Sequence, residues 1–451
     1  MNRKQEDRNR ILNDSVWRLM LSMSLPAIIA MSINGLNTFV DALFVGQYVG
    51  QNALAAVSLV FPLTMITNGL AAMIGMGSAS LLSIAIGNED ESIQEKILGT
   101  ATLLSLMTSI ALSVLGWVFA PELLALMGGS GEIQSMGVSY YRIMLIGSFF
   151  RIYGVAINML IRAEGKVSES MVYNSLAAIL NIILNAFFVI YLEMGVEGAA
   201  WATVIAMLVL SLLNVWYFYI AKKASFAVSF RGYSFERKFL SPILSVGISA
   251  MLLQGMFFVQ QVVVFRSLAY YGGDWDITFM GACYRIMLLV LLPGFGFTQA
   301  LQPIVGVNFG AGDHERVKKA FRVFLGAFSC LALLCCVFVI FIPSQILGWM
   351  IPDTEFSHAD IWNFQLMMSS LVLTPYFLMT TTLFQGIGKG NSASFILISR
   401  EILIFIPIVL LLPIWFEISG IYASAIPVNV LITGACYLMV QKQFRSWKVK
   451  A

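Results

Sequence analysis

Two similar stretches, IAIGNEDESIQEKILGTA at residues 84–101 and VNFGAGDHERVKKAFRVF at residues 307–324, divide the chain into two related halves. A second pair, NMLIRAEGKVSESMVYNS at 158–175 and TTLFQGIGKGNSASFILI at 381–398, has the same offset of 223 residues. Short glycine-containing turns often look alike, but two pairs with equal offsets and matching flanks indicate an internal repeat. We therefore expect two related lobes.

Apolar segments long enough to cross a membrane occur along the whole chain of 451 residues. Hydrophobic residues make up 59% of the sequence and charged residues 11%, whereas soluble proteins carry about 25% charged residues. Too few charges remain to coat a water-facing surface, which excludes a soluble enzyme, a disordered chain and a nucleic-acid binder. Because a spanning helix needs about 20 mostly apolar residues, the sequence predicts an all-α membrane protein with twelve transmembrane helices. Their predicted ranges are 19–45, 53–86, 97–120, 138–161, 170–192, 198–220, 240–270, 277–309, 320–345, 360–385, 392–414 and 418–440.

Lysine and arginine residues sort by side of the membrane once these helices alternate in direction. With the N-terminus inside, every Lys and Arg lies on the inner side except Arg142, Arg151, Arg266 and Arg285, which fall within helices. No predicted outer loop contains Lys or Arg, although these loops contain ten Asp and Glu residues. This asymmetry follows the positive-inside rule. It predicts a multi-pass protein of the cell (plasma) membrane with both termini in the cytoplasm.

The longest basic inner loop falls near the middle of the chain and sets the predicted domain organisation. We expect an N-lobe at residues 1–221, a cytoplasmic linker at 222–239 and a C-lobe at 240–451. Each half contains six predicted helices, so both halves enter the membrane in the same orientation. The two lobes should therefore be related by a pseudo-two-fold axis along the membrane normal, with a cavity between them.

Only two carboxylates, Asp41 and Glu401, fall within the predicted helices. Burial of an ionisable group inside a membrane costs free energy, so such a group is a candidate functional residue. Asp41 shares one stripe of the first helix with Asn34 and Asn37. A second amide stripe, on the fifth helix, consists of Asn174, Asn181 and Asn185. If the two stripes face each other, they form a polar pocket around one carboxylate, which suits a proton or a Na⁺ ion bound by oxygen atoms.

Four stretches together resemble the multidrug and toxic compound extrusion (MATE) family, and most of all its bacterial drug-efflux branch. They are PAIIAMSINGLNTFVDALFVGQYVGQNALAAVSLVFPL at 26–63, NIILN at 181–185, GVEGAAWATVIA at 195–206 and LPGFGFTQALQPIVGVNFGAGDHERVKKAF at 292–321. The resemblance covers essentially the whole chain. It implies a secondary antiporter in which inward movement of H⁺ or Na⁺ drives the export of cationic, aromatic drugs.

The resemblance also implies a cation-coupling site in the first lobe. Carried over by motif, this site comprises Asp41, Asn181, Asn185 and Thr203. The family commonly has Asp at the position of Asn185, so this chain has one carboxylate fewer, which weakens the case for Na⁺ but not for a proton. No metal site or organic cofactor is expected beyond the coupling ion. We predict alternating access by rocking of the lobes, with protonation of Asp41 releasing a bound cationic drug outside.

Substrate contacts are predicted at Asn34 and Asn37 and, in the second lobe, at Gln254 and Gln261, which share one face of the seventh helix. That helix contains no acid, so coupling is expected in the first lobe. Glu401 adjoins Arg400, but neighbours on a helix point about 100° apart and so need not pair. For Glu401, packing within the lobe and a role in the transport path both remain open.

Three classes of function are compatible with a polytopic membrane protein. The leading hypothesis is a drug antiporter, with cationic or amphipathic small molecules and membrane lipid as partners and a monomeric state. The alternative is a flippase for a lipid-linked saccharide, in which a cluster of the intramembrane arginines would bind phosphate. An intramembrane enzyme is disfavoured because the sequence contains no catalytic dyad or metal-ligand cluster, and no nucleic-acid partner is expected.

Overall fold

The computed structural model describes residues 3–226, 235–352 and 354–448. All regular elements in those ranges are helices. Eleven of them are long and apolar enough to span a membrane, and one bent pair forms a further span. The predicted all-α architecture with twelve transmembrane helices is therefore confirmed.

The first lobe begins with a short N-terminal helix, Arg3–Asn13, and continues with spans 1 to 6. These are Val16–Val49 (span 1), Gln51–Gly87 (span 2), Glu91–Leu126 (span 3), Gly131–Ile146 with Ser148–Ala163 (span 4), Val167–Tyr191 (span 5) and Gly195–Ile220 (span 6). Spans 1, 5 and 6 end in π-helical turns, at Val45–Val49, Ala186–Tyr191 and Trp216–Ile220.

The second lobe contains spans 7 to 12 and two short helices, Pro343–Met350 and Pro413–Ala423. The spans are Arg237–Tyr271 (span 7), Asp274–Gly310 (span 8), His314–Phe341 (span 9), His358–Gly386 (span 10), Gly390–Leu411 (span 11) and Ala425–Lys448 (span 12). Span 10 includes a 3-10 turn at Ser370–Leu373, and span 11 includes a π-helical segment at Ser399–Phe405.

The first pair of repeated stretches builds the same helix start in both lobes. Asp90 caps span 3 by accepting a hydrogen bond from the backbone N–H of Ile93 (3.2 Å). Asp313 caps span 9 by accepting one from the backbone N–H of Arg316 (2.9 Å). Such a cap satisfies a backbone donor that has no partner within the first helical turn. The two aspartates are separated by the repeat offset of 223 residues, so the sequence repeat corresponds to a structural one.

The starts of spans 4 and 12 differ most from their predicted positions, by seven residues each. Span 4 begins at Gly131 rather than near residue 138, and its two parts meet at Gly147 with a bend of 52°. Span 12 begins at Ala425 rather than near residue 418, because the preceding residues form a separate short helix in which Glu417 has a positive φ of 48°. Hydropathy alone does not detect either break, since both segments remain apolar.

Part of the predicted organisation lies outside the described residues. The linker was predicted at 222–239, and residues 227–234 of it are not described. The same holds for Arg231, Asp353 and Lys450, three members of the charge pattern. The proposed sidedness therefore depends on the remaining charged residues, and we refer to the end bearing the basic loops as the inner end.

Spans 2 and 8 cross at the inner end, where their backbones touch. A Cβ atom at Gly87 would collide with the carbonyl oxygen of Val307, and one at Gly310 would collide with that of Ile84. Gly87 corresponds to Gly310, and Ile84 to Val307, at the repeat offset. The contact is therefore symmetric about the pseudo-two-fold axis, and it requires residues without a side chain at the crossing.

Four apolar clusters show where the lobes pack against each other. At the inner end, one cluster of the second lobe includes Met20 and Met23 of span 1, and one cluster of the first lobe includes Ile243 and Val307. The two outer clusters each contain buried residues of a single lobe within the described chain. The lobes are therefore joined at the inner end and diverge toward the outer end.

The N-terminal helix connects the two lobes at their joined end. Arg8 donates to the carbonyl oxygens of Ile86 (3.2 Å) and Gly87 (2.9 Å) at the end of span 2. From the second lobe, Arg316 donates to the carbonyl oxygen of Ile11 (2.8 Å) and to that of Asp14. The N-terminal helix thus donates hydrogen bonds to the first lobe and accepts hydrogen bonds from the second lobe.

Candidate functional site

A cavity of about 840 Å³ lies between the two lobes. Spans 1, 2, 4, 5 and 6 line it from the first lobe, and spans 7, 8 and 10 line it from the second. Most of its polar lining consists of asparagine, glutamine and threonine side chains. The charged residues of the lining, within the described chain, are Asp41, Arg151 and Arg162.

One connected cluster of polar side chains joins spans 1, 5 and 6 at the cavity wall. Asn37 Nδ2 donates to Asn181 Oδ1 (2.7 Å), and Asn185 Nδ2 lies 3.1 Å from the same oxygen. Thr203 Oγ1 is 3.2 Å from the other end of the Asn181 amide. Asn185 Nδ2 also donates to Asp41 Oδ1. These contacts show that the stripes of spans 1 and 5 face each other. Such an arrangement is expected, because amides within a membrane are stable only against protein or water.

Asp41 is the carboxylate of this cluster, and the cavity reaches it directly. Its side chain is half-buried and lines the cavity, whereas Asn185 lies behind it and is 1% exposed. The Asn185 Oδ1 atom has no hydrogen-bond partner among the described residues. A buried oxygen without a donor is rare and costly. This atom and the Asp41 carboxylate could together accept a proton or a small cation.

The predicted substrate contacts do not all reach the cavity. Asn34, Asn37 and Gln254 line it, as does Thr203 of the predicted coupling site. Gln261 belongs to neither of the two internal cavities described for this chain. Gln254 and Gln261 share a helix face, but they lie seven residues apart, which is about 10 Å along the axis. The outer part of span 7, which carries Gln261, therefore extends beyond the cavity.

Glu401 lies in a different part of the molecule from Asp41. It is 2% exposed and lines a smaller cavity of about 70 Å³ inside the second lobe, together with Tyr284 and Asn429. Its Oε1 atom pairs with the guanidinium of Arg400, so these neighbours are in contact although helix geometry did not require it. Both belong to the π-helical segment of span 11, whose wider turn reduces the angle between successive side chains.

The sequence interpretation missed several residues of the cavity wall. The charge pattern places Arg162 on the inner side, but it lies in the last turn of span 4 and is 8% exposed, with its side chain in the lining. Arg162 Nη1 donates to Gln299 of span 8, a contact between the lobes. Arg151 Nη1 donates to Asn68 Oδ1 of span 2 (2.9 Å). The sequence offered one signal, the unusual position of Arg151 within an apolar segment. That position does not indicate which way the side chain points.

Two related six-helix lobes around a polar cavity that is closed at one end and has a carboxylate, Asp41, in its wall define a two-lobe membrane transporter. Within that class, the chain belongs to the MatE family, whose sequence model matches residues 26–187 and 246–411. The two matched ranges fall in the two lobes, in agreement with the internal repeat.

The chain is similar to two bacterial proteins over nearly its full length. It is 25% identical over 427 residues to the multidrug export protein MepA of Staphylococcus saprophyticus, covering 94% of each chain. It is 23% identical over 425 residues to MepA of Staphylococcus aureus, covering 94% of this chain and 93% of that one.

Solved structures of the same family have the same fold. A MATE protein crystallised in a straight conformation superposes with a TM-score of 0.92 at 24% identity, covering 97% of this chain and 98% of the other. An outward-facing multidrug resistance MATE family transporter of the MOP superfamily superposes with a TM-score of 0.91 at 24% identity and the same coverage.

Proposed function

We propose that the protein is a secondary antiporter of the cell membrane that exports cationic or aromatic drugs and other toxic compounds in exchange for inward-moving H⁺. The position of Asp41 carries this proposal, because it is a carboxylate in the wall of the cavity between the lobes. The similar staphylococcal proteins are named as multidrug export proteins, which supports drugs as the exported compounds.

The Asn181 amide suits a carboxyl group that changes its protonation state. One end of this amide lies 2.9 Å from Asp41 Oδ1. With the amide nitrogen at that end, Asn181 donates to an ionised Asp41. With the amide oxygen there, Asn181 accepts from a protonated Asp41, and Asn37 also donates to that oxygen. Both protonation states thus have a hydrogen-bond partner, since an amide offers a donor at one end and an acceptor at the other.

The proposed cycle couples drug and proton through competition for Asp41. With the lobes open to the cytoplasm, the ionised carboxylate attracts a cationic drug into the cavity. After the lobes rock to the outward-open arrangement, protonation of Asp41 removes the charge and the drug leaves. The proton is released inside when the lobes return. Because a drug and a proton cannot both occupy Asp41, inward movement of the proton drives outward movement of the drug.

Na⁺ is the alternative coupling ion. Oxygen atoms of Asp41, Asn181, Asn185 and Thr203 provide the type of ligand that such a hard cation prefers. A single carboxylate compensates the charge of a dehydrated cation less well than two would, and here Asn185 stands where the family commonly has an acid. For this reason we favour the proton.

The first prediction concerns the Asp41→Asn variant in proteoliposomes. We expect pH-gradient-driven transport of ethidium to fall to the background of empty liposomes, because the variant has no titratable group in the polar cluster. The Glu122→Gln variant is the matched control, since it removes an exposed acid at the end of span 3. Thermal unfolding in detergent establishes that both variants are folded.

Separate H⁺ and Na⁺ gradients distinguish the coupling ions. Transport driven by a Na⁺ gradient alone, and lost in the Asp41→Asn variant, would replace H⁺ with Na⁺ in the cycle. Undiminished pH-driven transport by a folded Asp41→Asn protein would refute the role of this carboxylate. A wild-type protein that moves a lipid-linked saccharide but not ethidium would favour the flippase.

A further inference from the structure

Span 4 presents two arginines to the cavity that the proposed proton cycle does not use. Arg151, Asn158 and Arg162 all line the cavity, and their spacing places them on one face of the helix. At a rise of 1.5 Å per residue, Arg151 and Arg162 lie about 16 Å apart along the axis. Arg162 is at the inner end of the span, where the lobes are joined, and Arg151 is near the middle of the span.

Among the described residues, the two guanidinium groups have few hydrogen-bond partners. Each carries five N–H donors. Arg151 donates to Asn68 (2.9 Å) and Arg162 donates to Gln299. Neither forms an ion pair among the described residues. Asp41 is close enough to Arg151 for their charges to interact, but the hydrogen bonds of Asp41 come from amides.

A structural role explains the hydrogen bonds of these arginines but not both of their charges, since Asp41 is the one acid in the described lining and lies near Arg151 only. Arg151 links spans 4 and 2, and Arg162 links the two lobes, yet a glutamine at either position would form such a bond at lower cost. An ionised group within the membrane costs several kcal/mol unless water, an opposite charge or a ligand compensates it. A cavity that bound only cations would also gain nothing from two positive charges in its wall, because like charges repel.

The charge balance of the lining indicates a ligand with charges of both signs. The cavity has two positive residues and one negative residue while Asp41 is ionised, and its positive excess increases when Asp41 is protonated. A guanidinium presents parallel N–H groups that match the two oxygens of a carboxylate, which makes this pair the strongest available to an arginine.

We infer that the face of span 4 bearing Arg151 is an anion-binding subsite for substrates that carry a carboxylate together with an amine. In this arrangement the carboxylate binds Arg151, the cationic end lies toward Asp41 and the amide stripes, and the apolar body fills the space between the lobes. The preferred substrates are then zwitterionic amphiphiles rather than simple cations. This inference rests on the proposed export function and assigns the substrate class of the same cavity.

The second prediction compares two dyes that differ in a single group. Rhodamine 110 is zwitterionic, and its methyl ester rhodamine 123 is a cation of nearly the same shape. Fluorescence polarisation measures their binding to the purified full-length protein. We expect the Arg151→Gln variant to bind rhodamine 110 at least about tenfold more weakly than the wild type, because it loses charge-assisted hydrogen bonds. Its affinity for rhodamine 123 should not fall, because the charge that is lost repels this cation.

Two further variants separate a subsite from a structural effect. Arg142→Gln removes an arginine from the outer part of the same span, where it lies over the Trp117 ring and outside the lining, and should leave both affinities unchanged. Arg151→Lys keeps the charge without the planar fork and should weaken rhodamine 110 binding to an intermediate degree. If Arg151→Gln fails to fold, this lysine variant still tests the selectivity between the dyes.

Three outcomes would overturn the inference. The first is an equal loss of affinity for both dyes in a folded Arg151→Gln protein. The second is an equal affinity of the wild type and this variant for rhodamine 110. The third is displacement of rhodamine 123 by dodecyl phosphate but not by rhodamine 110, which would show that the cavity binds a phosphate and not a carboxylate. Failure of the proposed function is a separate result. A protein that binds rhodamine 110 through Arg151 but moves neither dye under a pH gradient would keep the subsite and lose the antiport.

Discussion

At the scale of single residues, Glu164 is a buried acid outside the membrane-spanning segments. It lies between spans 4 and 5 and accepts hydrogen bonds from the backbone N–H (2.6 Å) and the hydroxyl (2.5 Å) of Ser225. Burial raises the pKa of Glu164 to about 7, although the charge of Lys166 and the bonds from Ser225 lower it. Because Ser225 follows span 6, this carboxyl group fixes the start of the connection between the lobes.

The third prediction is that Glu164 makes stability depend on pH. The folded protein holds this proton more tightly than the unfolded chain, so the stabilisation is complete below the unfolded pKa and is lost as pH rises through about 7. The effect is on the order of 3 kcal/mol at 1.36 kcal/mol per pKa unit. We expect the unfolding temperature of Glu164→Gln to fall less between about pH 5 and about pH 8 than that of the wild type.

The exposed acid Glu95 provides the matched control for this titration. Glu95→Gln removes a carboxylate at the same end of the molecule but from an exposed position, so its unfolding temperature should follow the wild type across the pH range. Parallel pH profiles of Glu164→Gln and the wild type would show that the buried carboxyl group does not titrate as described.

At the scale of helices, the crossing of spans 2 and 8 depends on Gly87 and Gly310. The fourth prediction is that Gly310→Ala lowers the unfolding temperature, since the added Cβ collides with the Ile84 carbonyl oxygen and forces the spans apart. Overpacking of this kind typically costs about 1–3 kcal/mol. By symmetry, Gly87→Ala should have a similar effect.

Gly326 in span 9 is the control for this crossing. A Cβ atom there meets no heavy atom within 4 Å, so Gly326→Ala should not lower the unfolding temperature and gains helix propensity. If Gly310→Ala and Gly326→Ala unfold at the same temperature as the wild type in detergent, the close backbone approach is not a requirement of the fold.

At the scale of the whole molecule, the N-terminal helix holds the two lobes together where they already touch. The fifth prediction is that Arg316→Ala loosens this helix, because it removes the donors to the carbonyl oxygens of Ile11 and Asp14. Hydrogen bonds from a charged donor contribute about 1.5–3 kcal/mol each. Amide hydrogen exchange within residues 3–13 should therefore accelerate at least about tenfold.

Lys319 is exposed on the same turn of span 9 and supplies the control, since Lys319→Ala removes a charge without touching the helix. Unchanged exchange in Arg316→Ala would mean that the N-terminal helix is held by its contacts with the first lobe alone. In the proposed cycle the lobes must separate at this end, so the helix has to release one of them in the inward-open state.

The sequence alone determined which segments lie in the membrane, how many there are and that the two halves repeat. Hydropathy, charge asymmetry and glycine spacing are local properties of the chain and do not depend on how the helices pack. The same is true of the stripe that groups Asp41 with Asn37, since a helix fixes the spacing of its own side chains. The family also followed from contiguous motifs.

Only the tertiary structure decided what each helix face touches. Gln254 lines the cavity and Gln261 does not, although both lie on the same face of span 7. Arg162, which a charge pattern assigns to a loop, reaches the cavity, and Arg400 folds back onto Glu401. Lipid, a neighbouring helix and a cavity wall all accept apolar residues, so the rotation of each span about its axis is set by packing between helices and not by composition.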